Sequence, residues 1–250
     1  MVWNPWAGSA ENYRLSIADL VANGTMDAAI AGTLWAAADA QVSFLTAALP
    51  RNAGKTTVAS AVLALRRPGV DLHYAYGERE ELEALRQERR GGYVVIGEFS
   101  PWQMPSYIWG DAVRDVFATL DSGYSLQSSL HAPDVQSTLD VVTRQIGVPD
   151  DDASHLRLVV HVDVRPSPGG VMRRVDEVFE LDGIVAGKPS GRTLHRWLAK
   201  DDSFEVTSEP TRFGQDRDAL RRRREAIAAL VDAGTTSVED VQRMVAGFTA

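Results

Sequence analysis

An α/β layered sheet, mostly parallel and carrying antiparallel strands at one edge, is the fold class this sequence predicts. Three observations carry the prediction. Short apolar runs alternate with helix-period segments from residue 41 to about residue 130. The first two strand-like runs, ending at Leu49 and Ile96, lead straight into Pro50 and Gly97, which stop them. Further on, two stretches flank the turn-rich Arg165-Pro166-Ser167-Pro168-Gly169-Gly170 and read as an antiparallel hairpin. The chain has 250 residues, enough to bury about 70% of the surface its unfolded form would expose.

The elements follow in order. Residues 1–8, with Trp3, Pro5 and Trp6, read as an irregular arm. Ser16 to Asp39 is rich in alanine and leucine and reads as two helices broken near Gly24, with Ser16 and Asp19 able to cap the first. Val42, Phe44 and Leu45 open a buried strand that runs to Leu49. A helix is expected from Thr56 to Leu65, ended by Pro68-Gly69, then a β-like stretch from Val70 to Tyr76. A charged helix over Arg79 to Arg90 carries Leu82 and Leu85 and stops at Gly91-Gly92. Tyr93 to Ile96 is a second buried strand. Ile108, Val113, Val116, Phe117 and Leu120 mark a helix closed by Gly123. Tyr124 to Leu130, Arg157 to Val164 and Met172 to Leu181 read as strands. Mixed strands follow, and then two helices. The first spans about Asp216 to Ala233; the second opens with a capping-box spacing, Thr236 and Glu239, and buries Val238, Val241, Val245 and Phe248. The expected organisation is lead-in helices over 1–40, a core over 41–181 and a small C-terminal helical region over 182–250.

Composition narrows the function. Acidic residues outnumber basic ones, 34 to 26, for a net charge of −8. A nucleic-acid partner is therefore not expected. Cysteine is absent, which removes disulfides, thiolate metal sites and cysteine nucleophiles. No apolar run approaches the roughly 20 residues of a membrane span, and Met1 to Gly8 lacks a basic-then-apolar leader pattern. A cytoplasmic protein with no direct membrane insertion is expected.

The informative segment lies between the first strand and its helix: Leu49-Pro50-Arg51-Asn52-Ala53-Gly54-Lys55-Thr56-Thr57. A phosphate-binding loop needs inward backbone N–H groups, a lysine for the outer phosphates and a hydroxyl for magnesium. Gly54, Lys55 and Thr56 supply the last three positions of that pattern. Leu49 stands where its first glycine belongs, and Asn52, which tolerates left-handed backbone, can supply the turn. Tyr93-Val94-Val95-Ile96-Gly97-Glu98 has four apolar residues followed by a carboxylate at the strand's end, where a magnesium or its water shell can be held. Ser128-Ser129-Leu130-His131-Ala132 ends a later strand, where His131 can sense a γ-phosphate.

In order and spacing these pieces resemble the secretion ATPases of type II and type IV systems, type IV pili and archaeal flagella. Gly97-Glu98 is similar to that family's Walker B glutamate, Ser129 to Ala132 to its histidine box, and Leu85-Arg86-Gln87 to its lead-in. The resemblance covers roughly residues 15–250. It implies a P-loop NTPase (RecA-like) three-layer fold that binds ATP and Mg²⁺. In it Pro50 to Thr57 would cradle phosphates, Thr56 and Glu98 would hold the metal, and Glu78, Glu98 and His131 would serve catalysis. It also implies a homo-oligomer, a hexameric ring in the family, with secretion or pilus apparatus proteins as possible partners. Glu78 follows a strand expected to lie beside the P-loop strand, so that it can orient the attacking water. Three departures stand against these matches. Leu49 replaces a glycine, either Gly77 or Glu78 fills the catalytic slot, and the arginine-bearing stretch is cut to one short helix. The alternative is a catalytically silent paralogue that binds nucleotide or serves assembly.

Other signals are discounted. Arg221 to Arg224 read as a solvated helix face, His155 and His161 lack zinc-site spacing, and no guanine-reading motif is present.

Overall fold

The computed structural model describes residues 15–249, so the arm expected over residues 1–8 lies outside them. Helices α1 (Ile17–Ala22) and α2 (Ala28–Asp39) precede β1 (Ser43–Ala47) and α3 (Lys55–Leu63). Next come β2 (Leu72–Tyr74), α4 (Arg79–Glu88), β3 (Tyr93–Val95), β4 (Glu98–Phe99), β5 (Tyr107–Ile108), α5 (Asp111–Thr119) and β6 (Ser125–Leu130). Short helices α6 (Val135–Asp140) and α7 (Asp150–Ala153) lead to the long strands β7 (Leu156–Ser167), β8 (Gly170–Val185) and β9 (Lys188–Leu198). Strand β10 (Ser203–Val206) and helices α8 (Arg217–Asp232) and α9 (Val238–Gly247) complete the chain.

One ten-stranded sheet runs in the order β10-β9-β8-β7-β1-β6-β3-β2, with β4 beside β6 and β5 beside β4. Strands β7, β1, β6, β3 and β2 are parallel, and β8, β9 and β10 add antiparallel at the β7 edge. This is the predicted mostly parallel α/β fold with its antiparallel edge.

Side chains of a strand alternate between faces, so a sheet buried on both sides needs unbroken apolar runs. The central strands show it. Phe44, Tyr93, Val95, Leu158 and Val160 face a core shared with α1, α2, α3, α8 and α9. Their neighbours Leu45, Val94, Ile96 and Val159 face a second core with α4, α5, α6 and α7. The result is three layers.

Several elements depart from the sequence reading. Ile108 belongs to β5, and the helix starts three residues later, after Gly110 takes a positive φ of 62°. Helices α6 and α7 and the π-helical turn Val141–Gln145 between them lie where the sequence predicts no element; each is too short for a periodic signal. The division drawn at residues 181 and 182 falls inside β8, and β9 and β10 continue the same sheet. Nor is the basic run of α8 simply a solvated face. Arg221 pairs on the surface with Asp218 and Glu225. Arg223 is buried, its Nη2 2.7 Å from an Asp39 carboxylate oxygen and its guanidinium 5.0 Å from the Phe248 ring.

Candidate nucleotide site

The site grows from the turn after β1. Asn52 and Gly54 both take left-handed backbone, at φ 58° and 96°. Asparagine is among the few non-glycine residues that accept that region, so Asn52 supplies a turn that Leu49 does not. Gly54 caps α3 without a side-chain hydrogen bond, which leaves the first N–H groups of the helix open toward the loop. A helix start of this kind favours anions.

Strand pairing brings the other two groups to the same place. Ala47 of β1 stands beside Leu130 of β6, so His131 emerges next to the loop. Its Nδ1 lies 2.9 Å from the Leu49 carbonyl oxygen. A carbonyl only accepts, so Nδ1 donates to it, and Nε2 lies 3.1 Å from the Lys55 Nζ. On the far side of β6, Phe99 of β4 pairs with Leu130, which sets Glu98 level with His131. Gly97 makes this possible. A Cβ there would come within 2.5 Å of the Ser106 backbone oxygen.

Lys55, Glu98 and His131 therefore meet. The Lys55 Nζ is 3.3 Å from Glu98 Oε2, and Glu98 Oε1 is 3.4 Å from His131 Nε2. Lys55 and Glu98 are both buried, at 6% exposure each. Burial pulls the Lys55 ammonium below the ordinary lysine pKa, and the Glu98 carboxylate opposes that pull. The pair brings an ammonium and a carboxylate together out of water, so removing either partner would leave the other charge buried and uncompensated.

A cleft of about 1270 Å³ opens over these groups. Residues 51–57, Glu98 and His131 line it, whereas Pro50 and Glu78 do not. Glu98 is the only carboxylate in its wall among the described residues. No grouping of three or more His, Cys, Asp or Glu side chains suited to a metal occurs among them. A divalent ion would need its remaining oxygens from a ligand such as a polyphosphate, with Thr56 and Glu98 as the protein's share.

Glu78 requires a correction. The strand before it, β2, is not beside β1; β6 and β3 lie between them. Glu78 sits exposed at the N-cap of α4, and the next element inward, Gly77, packs its backbone against Ile108. Strand order follows from which crossovers the intervening helices allow, and β2 is a three-residue strand whose sequence carries no mark of its neighbour.

The structure also adds residues that sequence reasoning missed. Arg173 of β8 reaches the loop and donates from Nη2 to the Asn52 carbonyl at 3.0 Å. Arg51 lies 4.0 Å over the Trp102 ring at the cleft mouth. His161, which lacks zinc-site spacing in the sequence, is buried on β7, with Nδ1 2.6 Å from Asp176 and Nε2 3.1 Å from the carbonyl of Ala132, the residue after His131. Burial disfavours its charge, but the Asp176 carboxylate more than offsets this and raises its pKa. No local motif announces any of these contacts; each depends on strands distant in sequence.

No protein-family model and no curated protein sequence matches this chain. Among solved structures it is similar to the VirB11 ATPase of the Brucella suis type IV secretion system, solved with sulphate. There the identity is 18%, the TM-score 0.43, and coverage 59% of this chain and 50% of that one. It is also similar to the Legionella pneumophila ATPase DotB at 13% identity and a TM-score of 0.39, covering 83% of this chain and 61% of that one. The chain spans about half the length of the first and about three fifths of the second. Among the described residues no helix is long and apolar enough to cross a membrane.

Proposed function

We propose that this chain binds ATP with Mg²⁺ in the cleft above α3 and acts as an ATPase subunit of a secretion- or pilus-type machine. The observation that carries the reading is the meeting of Lys55, Glu98 and His131 at a loop with left-handed turns at Asn52 and Gly54. In this reading residues 50–57 cradle the phosphates. Lys55 leaves Glu98 for the β- and γ-phosphates, and Thr56 and Glu98 hold the metal and its water shell. His131, already fixed by the Leu49 carbonyl, reports the γ-phosphate from Nε2. Bound Mg²⁺ neutralises charge on the transferred phosphoryl group, and the protein's share is positioning. A cytoplasmic homo-oligomer that works with apparatus proteins belongs to the same reading through the family resemblance.

A second reading has its own support. With Glu98 the only carboxylate lining the cleft among the described residues and Glu78 outside it, one group would serve both metal and attacking water. That favours a subunit that binds nucleotide and turns it over slowly, or not at all. Phosphate release from Mg-ATP by the assembled protein, compared with Lys55→Ala, separates the readings. Release well above the variant's level supports the motor. Equal background release in both, with tight Mg-ATP binding by the wild type, assigns the silent role.

A further inference from the structure

We propose that Arg173 is a positioning residue that latches the 49–57 loop from the β7–β8 hairpin, in place of the loop glycine that Leu49 lacks. A phosphate cradle turns its N–H groups inward and so turns carbonyls outward, where each needs a partner. For Asn52, the residue at the left-handed turn, that partner is Arg173. Its Nη2 and Nε lie 3.0 Å and 3.3 Å from the Asn52 oxygen, a two-pronged hold from one guanidinium.

Two further contacts fix the arginine itself. Its stem runs past Gly54, where a Cβ would stand 3.3 Å from Arg173 Cδ, so the glycine also leaves the path for the latch. The Arg173 carbonyl accepts from Nη1 of Arg174 at 3.0 Å, and Arg174 is held by both oxygens of Asp202 at 2.8 Å. Trp197 Nε1 donates to the same carboxylate at 2.9 Å. Behind them the Val175 N–H bonds the Thr25 carbonyl at 2.8 Å, tying β8 to the turn between α1 and α2. The latch thus hangs from an anchored strand, not from a free side chain.

The nucleotide arm of the test rests on the proposed ATP reading; the first arm does not. Deuterium exchange of the ligand-free protein should show residues 49–54 exchanging about tenfold or more faster in Arg173→Ala, the loss expected for one charge-assisted bond. Residues 43–47 of β1 should be unchanged, and Arg173→Lys should restore part of the protection. Unchanged loop exchange in Arg173→Ala overturns the latch whatever the ligand does. In calorimetry Arg173→Ala should weaken Mg-ATP and Mg-ADP about equally, roughly tenfold, because it loosens the cradle. Loss of ATP affinity with ADP affinity intact would also overturn it, making Arg173 a direct γ-phosphate contact. If the wild type binds neither nucleotide, the ATP reading fails and the exchange result still decides the latch.

Discussion

Two places in the same sheet carry a carboxylate just past a strand, and only Glu98 of the two lines the cleft. Past β3, Glu98 is buried beside Lys55 and His131. Past β2, Glu78 stands in solvent at a helix start. The difference is position in the sheet. β6, the neighbour of β1, carries β4 and Glu98 on its other side, while β2 is the far edge strand. A residue type at a strand's end becomes chemistry only where neighbouring strands aim it at the same cleft.

Four changes test that contrast, the largest first. Glu98→Gln keeps the shape and removes the charge of the carboxylate that lines the cleft. Steady-state phosphate release should fall by on the order of 10²–10⁴-fold, with an altered magnesium dependence. Wild-type turnover in this variant would remove Glu98 from the reaction.

Acid titration separates the site from the scaffold. His195 of β9 is buried, with Nε2 2.8 Å from Thr33 Oγ1 on α2, and burial pushes its pKa down to about 4. The unfolded histidine titrates near 6.5, so the unfolded chain takes up the proton first as pH falls. Stability contributed by the neutral ring is complete above about pH 6.5 and is lost between there and about pH 4, by roughly 3 kcal/mol. Denaturant melts of wild type and His195→Gln across that range should show a shallower loss in the variant. Parallel curves would mean the ring is not held neutral.

Gly97→Ala places a methyl 2.5 Å from the Ser106 oxygen. Overpacking of this kind costs about 1–3 kcal/mol, so its thermal midpoint should drop by several degrees. An unchanged midpoint would show that the turn between β3 and β4 has room to spare. The smallest effect belongs to Glu78→Gln, whose phosphate release should stay within about twofold of wild type, since surface changes are usually near neutral. A fall comparable to that of Glu98→Gln would mean Glu78 acts on a cleft other than that of its own chain.

The sequence made the sheet legible because its central strands are buried on both faces and read as apolar runs. It made the loop legible because Gly54-Lys55-Thr56 follows one such run, and Glu98 and His131 were found by the same rule. What local pattern does not carry is neighbourhood. The edge place of β2 is set by β6, which comes later in the chain, and the contacts of Arg223 with Asp39 and of Arg173 with Asn52 join residues 184 and 121 positions apart, none of which local pattern encodes.

The central claim is that the cleft above α3 holds the phosphates of Mg-ATP through Lys55. Calorimetric titration of Mg-ATP into wild type and Lys55→Ala tests it most directly. A hydrogen bond to a charged group contributes roughly 1.5–3 kcal/mol, so the wild type should bind and the variant should bind about tenfold or more weakly, with its fold unchanged by circular dichroism. Equal dissociation constants for the two proteins, or no binding to the wild type, would contradict the account.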